Sequence, residues 1–132
     1  MLDVQRIDET KAGPPPEPAN FTGRVRMQNL AAVGGAGDLE LLAVFFDAGS
    51  HTRPHTHPTD QVLWFVRGNG FVVFPGEEEQ RVTEGEIVVV PAGLLHMHGA
   101  TGDEPVCHIA LRAPGLTDWH PPVPDEWRRF VA

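Results

Sequence analysis

The sequence predicts an all-β fold: a single-domain antiparallel β-barrel or double-sheet jelly roll with a short C-terminal helix. Short apolar or alternating stretches follow one another along the chain, and Gly and Pro separate them at close intervals. Almost no helical periodicity occurs before the last residues. A chain of 132 residues that is 41% hydrophobic is the size of one domain and can bury a core without disulfides.

The chain divides into three predicted segments. They are an extended Pro-rich N-terminal arm (residues 1–20), the barrel (residues 21–118) and a C-terminal tail with a short helix (residues 119–132). The arm contains Gly-Pro-Pro-Pro-Glu-Pro at residues 13–18, which cannot be helical and is expected to lie over the surface or to remain loose. In the tail, residues 125–131 are predicted to be helical, beginning at Pro124 and Asp125.

Alternation and turn residues place the predicted strands. They span residues 24–30, 39–47, 61–66, 71–74, 80–83, 86–90 and 106–112. The Gly-rich residues 34–38 are predicted to form a hairpin turn, because neither Lys-Ser/Thr nor a helix follows them as a phosphate-binding loop would require. Residues 39–47 are nearly all apolar, which is typical of a strand buried on both faces or at a subunit contact. Strand parity predicts the substrate pocket at Leu42, Val44, Leu63 and Phe65.

Two histidine-bearing stretches predict a metal site. His55 and His57 are one residue apart in an extended segment, and Gln61 shares their parity, so all three should project to one face. In the second stretch a strand runs into a Pro/Gly turn that delivers His96, and His98 should point to the same side. The predicted ligands of a divalent first-row metal (Mn, Fe, Ni, Zn, Co or Cu) are His55, His57, Gln61 and His96. Gln61 is either a ligand or a hydrogen-bond partner of a metal-bound water, which would leave a three-histidine site.

The spacing of these stretches resembles the paired motifs of the cupin superfamily. The matching residues are Gly49-x5-His55-x-His57-x3-Gln61-x6-Gly68, followed by Gly85-x5-Pro91-x-Gly93-x2-His96. Two positions depart from the family pattern: Gln61 stands where a glutamate is common, and Ala100 where the second motif often ends in asparagine. The resemblance implies a cupin barrel.

The glutamine variant is similar to small cupins of the manganese-dependent hydroxynitrile lyase type. The similarity includes His98, His108 on the last predicted strand, residues 21–26 and the Asp118-Trp119 pair. It implies manganese as the metal. It also implies that His108 takes the hydroxyl proton of a small aromatic or aliphatic cyanohydrin, while His98 and the metal stabilise the departing cyanide. From the residues alone, His98 and His108 are either catalytic or hydrogen-bonded barrel histidines.

Three function classes stay open at this point. The first is a non-redox, metal-dependent lyase, which the neutral Gln61 favours because the site is one unit more positive than with a glutamate. The second is a metal-dependent dioxygenase acting on a small organic substrate, since a three-histidine site permits it. The third is a small-molecule-binding protein without catalysis. The two additional histidines, which simple binding does not require, favour an enzyme.

Charge and cysteine content indicate partners and location. A net charge of −8 without clustered Lys and Arg argues against nucleic acid and anionic membrane as partners. The single cysteine, Cys107, cannot form an internal disulfide, and no stretch approaches the roughly 20 apolar residues of a membrane span. A cytoplasmic location and a small-molecule substrate are therefore expected. A homodimer is expected too, because pairing is a common way to cover exposed strands.

Overall fold

The computed structural model describes residues 4–33 and 39–131, and within them the chain forms two antiparallel sheets of five strands each. The strands are β1 (Phe21–Thr22), β2 (Val25–Val33), β3 (Leu39–Phe46), β4 (His51–Thr52), β5 (Gln61–Arg67), β6 (Asn69–Val73), β7 (Gln80–Thr83), β8 (Ile87–Val90), β9 (Met97–Ala100) and β10 (Val106–Arg112). Short 3-10 helices occur at Glu9–Lys11, Pro18–Asn20 and Asp125–Phe130. The predicted all-β class is confirmed, whereas the turn predicted at residues 34–38 lies outside the described residues.

Strand order brings distant parts of the sequence together. The first sheet runs β2-β3-β10-β5-β8 and the second β1-β4-β9-β6-β7, so β10 lies between two strands that precede it by 39 residues or more. In this register Arg112 is paired with Glu40 on β3 and with Gln61 on β5. His108 is likewise paired with Val44 on one side and Phe65 on the other. Inward-facing residues of β3, β10 and β5 are therefore direct cross-strand neighbours.

Both faces of the central strands are buried. The inner face contributes Phe46, Leu63 and Phe65 to the main core cluster, each at most 1% exposed. The outer face contributes Phe45 and Cys107 to a second cluster, against which Ala12 and Leu41 also pack. Burial of the central strands on both sides explains why residues 39–47 are nearly all apolar, as predicted for a strand buried on both faces.

The N-terminal residues lie along the outer face of the first sheet. Gly13 forms an antiparallel bridge with Met27 on β2, with N–O distances of 2.9 and 2.8 Å. The Glu9 carboxylate lies 3.0 Å from the Arg26 guanidinium and 3.2 Å from that of Arg67. These contacts hold the described part of the arm against the barrel. The predicted boundaries at residues 20/21 and 118/119 stay predictions.

The C-terminal tail contains a 3-10 helix at Asp125–Phe130, within the range predicted to be helical. Pro124 occupies its N-cap position without a side-chain capping bond, and the segment is only six residues long. Trp127 packs with Phe71 and Met97 on the second sheet. Within residues 4–33 and 39–131, no helix has the length and apolar character needed to cross a bilayer.

Candidate metal centre

Backbone pairing brings the two histidine stretches into contact. His55 and His96 form an antiparallel bridge in which each N–H donates to the other's carbonyl, with N–O distances of 3.0 and 3.1 Å. The turn before His96 depends on Gly93, which has a φ of +76° and donates its N–H to the His57 carbonyl at 2.8 Å. A side chain at Gly93 would be strained in that conformation. This glycine therefore helps to position His96 opposite His55.

Three buried histidines form a potential metal-binding group. His55, His96 and His98 each offer one ring nitrogen, and these nitrogens lie within 4.8 Å of one another. The three residues are 1%, 0% and 5% exposed. Imidazole nitrogens converging in this way are suitable ligands for a divalent first-row metal. The group overlaps the predicted set in His55 and His96.

The other two predicted ligands lie beside this group. The His57 ring centroid is 4.8 Å from that of His55 and 5.3 Å from that of His96. Gln61 is 5% exposed at the start of β5. The complete ligand set of His55, His57, Gln61 and His96 stays a prediction, and His98 is a competing member of it.

Hydrogen bonds orient the rings so that one nitrogen of each stays free. Nδ1 of His55 lies 2.7 Å from the Arg53 carbonyl oxygen, and Nδ1 of His96 lies 2.8 Å from that of Leu94. A carbonyl can only accept, so both Nδ1 atoms carry the proton and both Nε2 atoms keep a lone pair. Nδ1 of His57 lies 3.0 Å from the Thr117 hydroxyl. Anchoring of the second nitrogen is typical of metal-binding histidines.

Buried polar atoms without hydrogen-bond partners indicate whether the site can hold a metal ion. Within the described part of the chain, Nε2 of His57, Oε1 of Gln61 and Nε2 of His96 are buried and have no hydrogen-bond partner. Leaving three polar atoms unpaired in one place would be costly unless they share a ligand. A divalent cation bound among these residues would give them a partner, because each atom can offer a lone pair. The residues therefore fit a metal ion, and the donor set does not decide which one.

Burial keeps the histidines neutral. It lowers the pKa of His96 to about 4, and it lowers the pKa of His57 to about 3 with a further contribution from His96 and Arg112. The pKa of His55 lies well below its ordinary value, mainly through burial and then through His96. Metal binding requires neutral imidazoles, so all three are ready to bind at pH 7.

Acid should destabilise the metal-free protein. A histidine whose pKa is lower in the folded state stays neutral there but takes up a proton in the unfolded chain, so stability is full above pH 6.5 and is lost as pH falls toward the folded-state pKa. For His96 alone, with its pKa lowered to about 4, the loss between pH 7 and pH 5 should be about 2 kcal/mol. Urea unfolding of metal-free protein at the two pH values measures it.

The control for this prediction removes one of the buried histidines. Burial lowers the pKa of His108 to about 3, so His108→Leu should reduce the loss of stability between pH 7 and pH 5. A parent protein equally stable at both pH values would contradict the prediction.

His98 of the metal-binding group is also paired with a further buried histidine, His108. Nε2 of His108 is 3.1 Å from Nδ1 of His98, both residues are buried, and Nδ1 of His108 has no hydrogen-bond partner in the described chain. The His108 ring is enclosed by Phe46 and Phe65, with ring centroids 5.3 and 5.2 Å away. Burial lowers the pKa of both histidines, further for His98 because of its neighbour His108. The pair is therefore neutral and can accept a proton.

A cavity of about 80 Å³ opens onto both histidine groups. Leu42 and Val44, two residues of the predicted substrate pocket, line this cavity, and their role in substrate binding stays a prediction. Leu63 and Phe65 are fully buried in the core cluster and are not among its lining residues. They share the inward parity, but they pack against side chains, and Phe65 supports the His108 ring.

Several residues at the cavity were absent from the predicted site. Trp119 lies over His55 with ring centroids 4.4 Å apart, and it also contacts Phe21 at 5.6 Å. Arg112 and Glu40 line the same cavity. Strand parity contained a signal for these two residues, because Arg112 lies on the same face of its strand as His108, and Glu40 on the same face as Leu42. Trp119 had no such signal, since it lies outside the strands.

Fold and site together define the class: the chain belongs to the cupin superfamily. The family model described as the cupin domain matches residues 42–111. Over 131 residues the chain is 30% identical to an (R)-mandelonitrile lyase from Granulicella tundricola, covering 97% of this chain and 99% of that protein. It is also 33% identical over 58 residues to a gentisate 1,2-dioxygenase from Ralstonia sp., covering 44% of this chain and 16% of that enzyme.

Solved structures show the same fold. A cupin-like protein from Thermotoga maritima has a TM-score of 0.78 and 29% identity, covering 94% of this chain and 97% of its own. The polyketide cyclase RemF from Streptomyces resistomycificus has a TM-score of 0.71 and 19% identity, with 88% and 85% coverage. At that identity the second match indicates the fold alone. The chain is thus a cupin with histidines placed to bind a divalent metal, and it resembles the hydroxynitrile lyase type.

Proposed function

We propose that this cupin is a metal-dependent, non-redox enzyme that cleaves or forms a small cyanohydrin, as a hydroxynitrile lyase does. The observation that carries the proposal is that His98, a member of the three-histidine group, is hydrogen-bonded to a further buried histidine, His108, at the same cavity. Metal or ligand binding alone would not need the further histidine His108. The relative from Granulicella tundricola, a mandelonitrile lyase, supports the same activity.

In this proposal the cavity walls bind the substrate and the histidine pair transfers the proton. Leu42, Phe21 and Trp119 give an apolar wall for the organic part of the substrate. In the cleavage direction the hydroxyl proton passes to the His98–His108 pair and the C–CN bond breaks. The bonding electrons leave with cyanide, a carbonyl forms, and the proton returns to cyanide. His55, His57, Gln61 and His96 would hold the metal, which when bound supplies a Lewis acid.

The test begins with elemental analysis of the purified protein, followed by an anaerobic cyanide-release assay with mandelonitrile. We expect about one manganese or other first-row ion per chain, since the described residues contain one such histidine group. We also expect cyanide release that disappears on metal removal and returns on reloading. Protein that binds metal but releases no cyanide from this or other cyanohydrins would contradict the lyase activity.

A second candidate function is a dioxygenase, favoured by the 58-residue match to a gentisate 1,2-dioxygenase. Oxygen uptake by the Fe(II)-loaded protein with a small organic substrate would support it. Turnover in the absence of oxygen excludes it for the substrate tested. The neutral Gln61 favours the lyase, because a more positive site suits polarisation of a substrate.

We further propose that two copies of the chain pair through the outer face of β5 and β8. Trp64 on β5 is directly opposite Ile87 on β8, and these residues and Val89 are 49%, 59% and 59% exposed. In the described fold β8 is the last strand of its sheet. An exposed apolar patch beside an uncovered edge strand favours association with the identical patch of a second copy. The expected cytoplasmic location stays a prediction.

Ile87→Glu should convert the dimer to a monomer at micromolar concentration. A carboxylate at the centre of an apolar contact would be buried without a partner, which weakens association by at least about tenfold. Light scattering coupled to size exclusion measures the mass. Ile7→Glu is the matched control, since Ile7 is 42% exposed and the N–H of its neighbour Asp8 donates to Gln28 on β2, the strand at the opposite edge of the sheet. This variant should leave the dimer unchanged. A parent protein that is monomeric, or an Ile87→Glu dimer, would contradict the proposed contact.

A further inference from the structure

One end of the cavity is charged. Arg112 and Glu40 both line it, and they are cross-strand partners on β10 and β3. On its other side Arg112 is paired with Gln61, one of the predicted metal ligands. The remaining lining residues of the described chain are neutral at pH 7, because their ionisable members are the buried histidines. This ion pair therefore supplies the formal charge that a substrate would meet.

The two partners are held differently. The Arg112 side chain is 14% exposed, and its Nη1 donates to the Gly115 carbonyl at 3.0 Å. Its Nη2 lies 3.2 Å from Oε2 of Glu40, whose side chain is 38% exposed. That oxygen is buried and accepts no well-aligned hydrogen bond in the described part of the chain. Arg112 is thus fixed by the backbone, whereas Glu40 is close to solvent and imperfectly bonded.

The charge balance of this end favours an anion. The metal-binding residues are neutral, so a bound divalent ion together with Arg112 outweighs the single negative charge of Glu40. An ion pair that is partly open to solvent contributes little to stability, which makes a purely structural reason for placing it in a cavity weak. A guanidinium also matches a carboxylate with two parallel N–H···O bonds, a geometry that Glu40 does not reach here.

We propose that the substrate of this site carries a carboxylate, which binds to Arg112. Glu40 pairs with the Arg112 guanidinium in this structure, and it withdraws toward solvent when the substrate's carboxylate takes its place. This inference rests on the proposed function, since it narrows the substrate to a carboxylate-bearing hydroxynitrile and its oxo-acid product. The reacting carbon then lies toward His98 and His108, and the acid group toward Arg112.

The test compares two small ligands of nearly equal shape, isobutyrate and isobutyramide, by calorimetric titration. The purified protein is titrated as isolated and again after metal removal with EDTA, so that direct metal–carboxylate binding is separated from binding to Arg112. In both forms we expect isobutyrate to bind at least about tenfold more tightly than isobutyramide, the range of a charge-assisted hydrogen bond.

Two variants should move the affinity for isobutyrate in opposite directions. Arg112→Gln should remove the preference for isobutyrate. Glu40→Gln should strengthen isobutyrate binding several-fold and leave isobutyramide unchanged, because the competing carboxylate is gone. Arg112→Lys, which keeps the charge without the planar fork, should retain part of the preference and serves as the test if Arg112→Gln does not fold.

Several results would overturn the inference. They are equal affinity for the two ligands in the parent, no binding of isobutyrate, a preference that survives Arg112→Gln, and weaker isobutyrate binding in Glu40→Gln. The outcome is separable from that of the proposed function. A carboxylate preference without cyanide release would contradict only the lyase activity, and cyanide release without the preference would contradict only the role of Arg112.

Discussion

Replacing His96 with alanine should abolish metal binding and leave the barrel folded. Nε2 of His96 is a buried atom without a hydrogen-bond partner in the described chain, and the residue belongs to the group of nitrogens within 4.8 Å of one another. The barrel should survive because the bridge to His55 uses backbone atoms, which alanine keeps. Loss of one ligand should lower metal affinity by more than about a hundredfold, since outer hydrogen-bond partners alone reach that figure.

Metal content per chain after reloading measures the effect, and circular dichroism checks the fold. His120→Ala is the matched control, because it removes an exposed histidine outside the site. The same assay on His57→Ala and His98→Ala decides between the predicted ligand set and the group that contains His98. Stoichiometric metal in the His96→Ala variant would overturn the site.

Replacing His108 with alanine should lower the rate of cyanide release by at least about a hundredfold, the usual contribution of a positioned acid–base group. His108 shares a proton with His98 across 3.1 Å, so the variant removes one half of the proton-accepting pair. Metal content should stay at the parent level, because His108 is outside the group of three converging histidines. The combination of normal metal and lost turnover distinguishes proton transfer from metal binding.

Two further measurements make this result specific to the imidazole. Phe65→Leu loosens the packing around the same ring without removing it, so that variant should lose much less activity than His108→Ala. Free imidazole added to His108→Ala should restore part of the rate by entering the space left by the ring. A His108→Ala variant that keeps the full rate would remove His108 as the base.

Much of the fold could be predicted from the sequence because β structure is encoded locally. Strand β10 spans the residues that alternation predicted, and β7 does as well. The common orientation of His55, His57 and Gln61 needed only the period-two geometry of an extended chain. The fold class followed from the same signals, together with the Gly and Pro residues that end each strand.

Parity identifies the residues that face inward, but it does not tell which of them line a cavity, because it does not report depth. Val44 and Leu63 face the same interior, yet Val44 lines the cavity and Leu63 is packed in the core. A strand has inward-facing residues along its whole length. The distance to the opposite sheet decides which of them border the cavity and which pack against other side chains. That distance depends on side chains far away in the sequence, such as Trp119, which covers His55.

The sequence by itself determined the all-β class, most strands, and the set of histidines and Gln61 that face inward. Tertiary structure decided which of them converge: His98 joins His55 and His96 because β4 pairs with β9, and Arg112 meets Glu40 because β10 pairs with β3. The physical reason is the range of each interaction. Side-chain alternation is a property of one strand, whereas register and distance between strands depend on hydrogen bonds and packing between segments up to 72 residues apart.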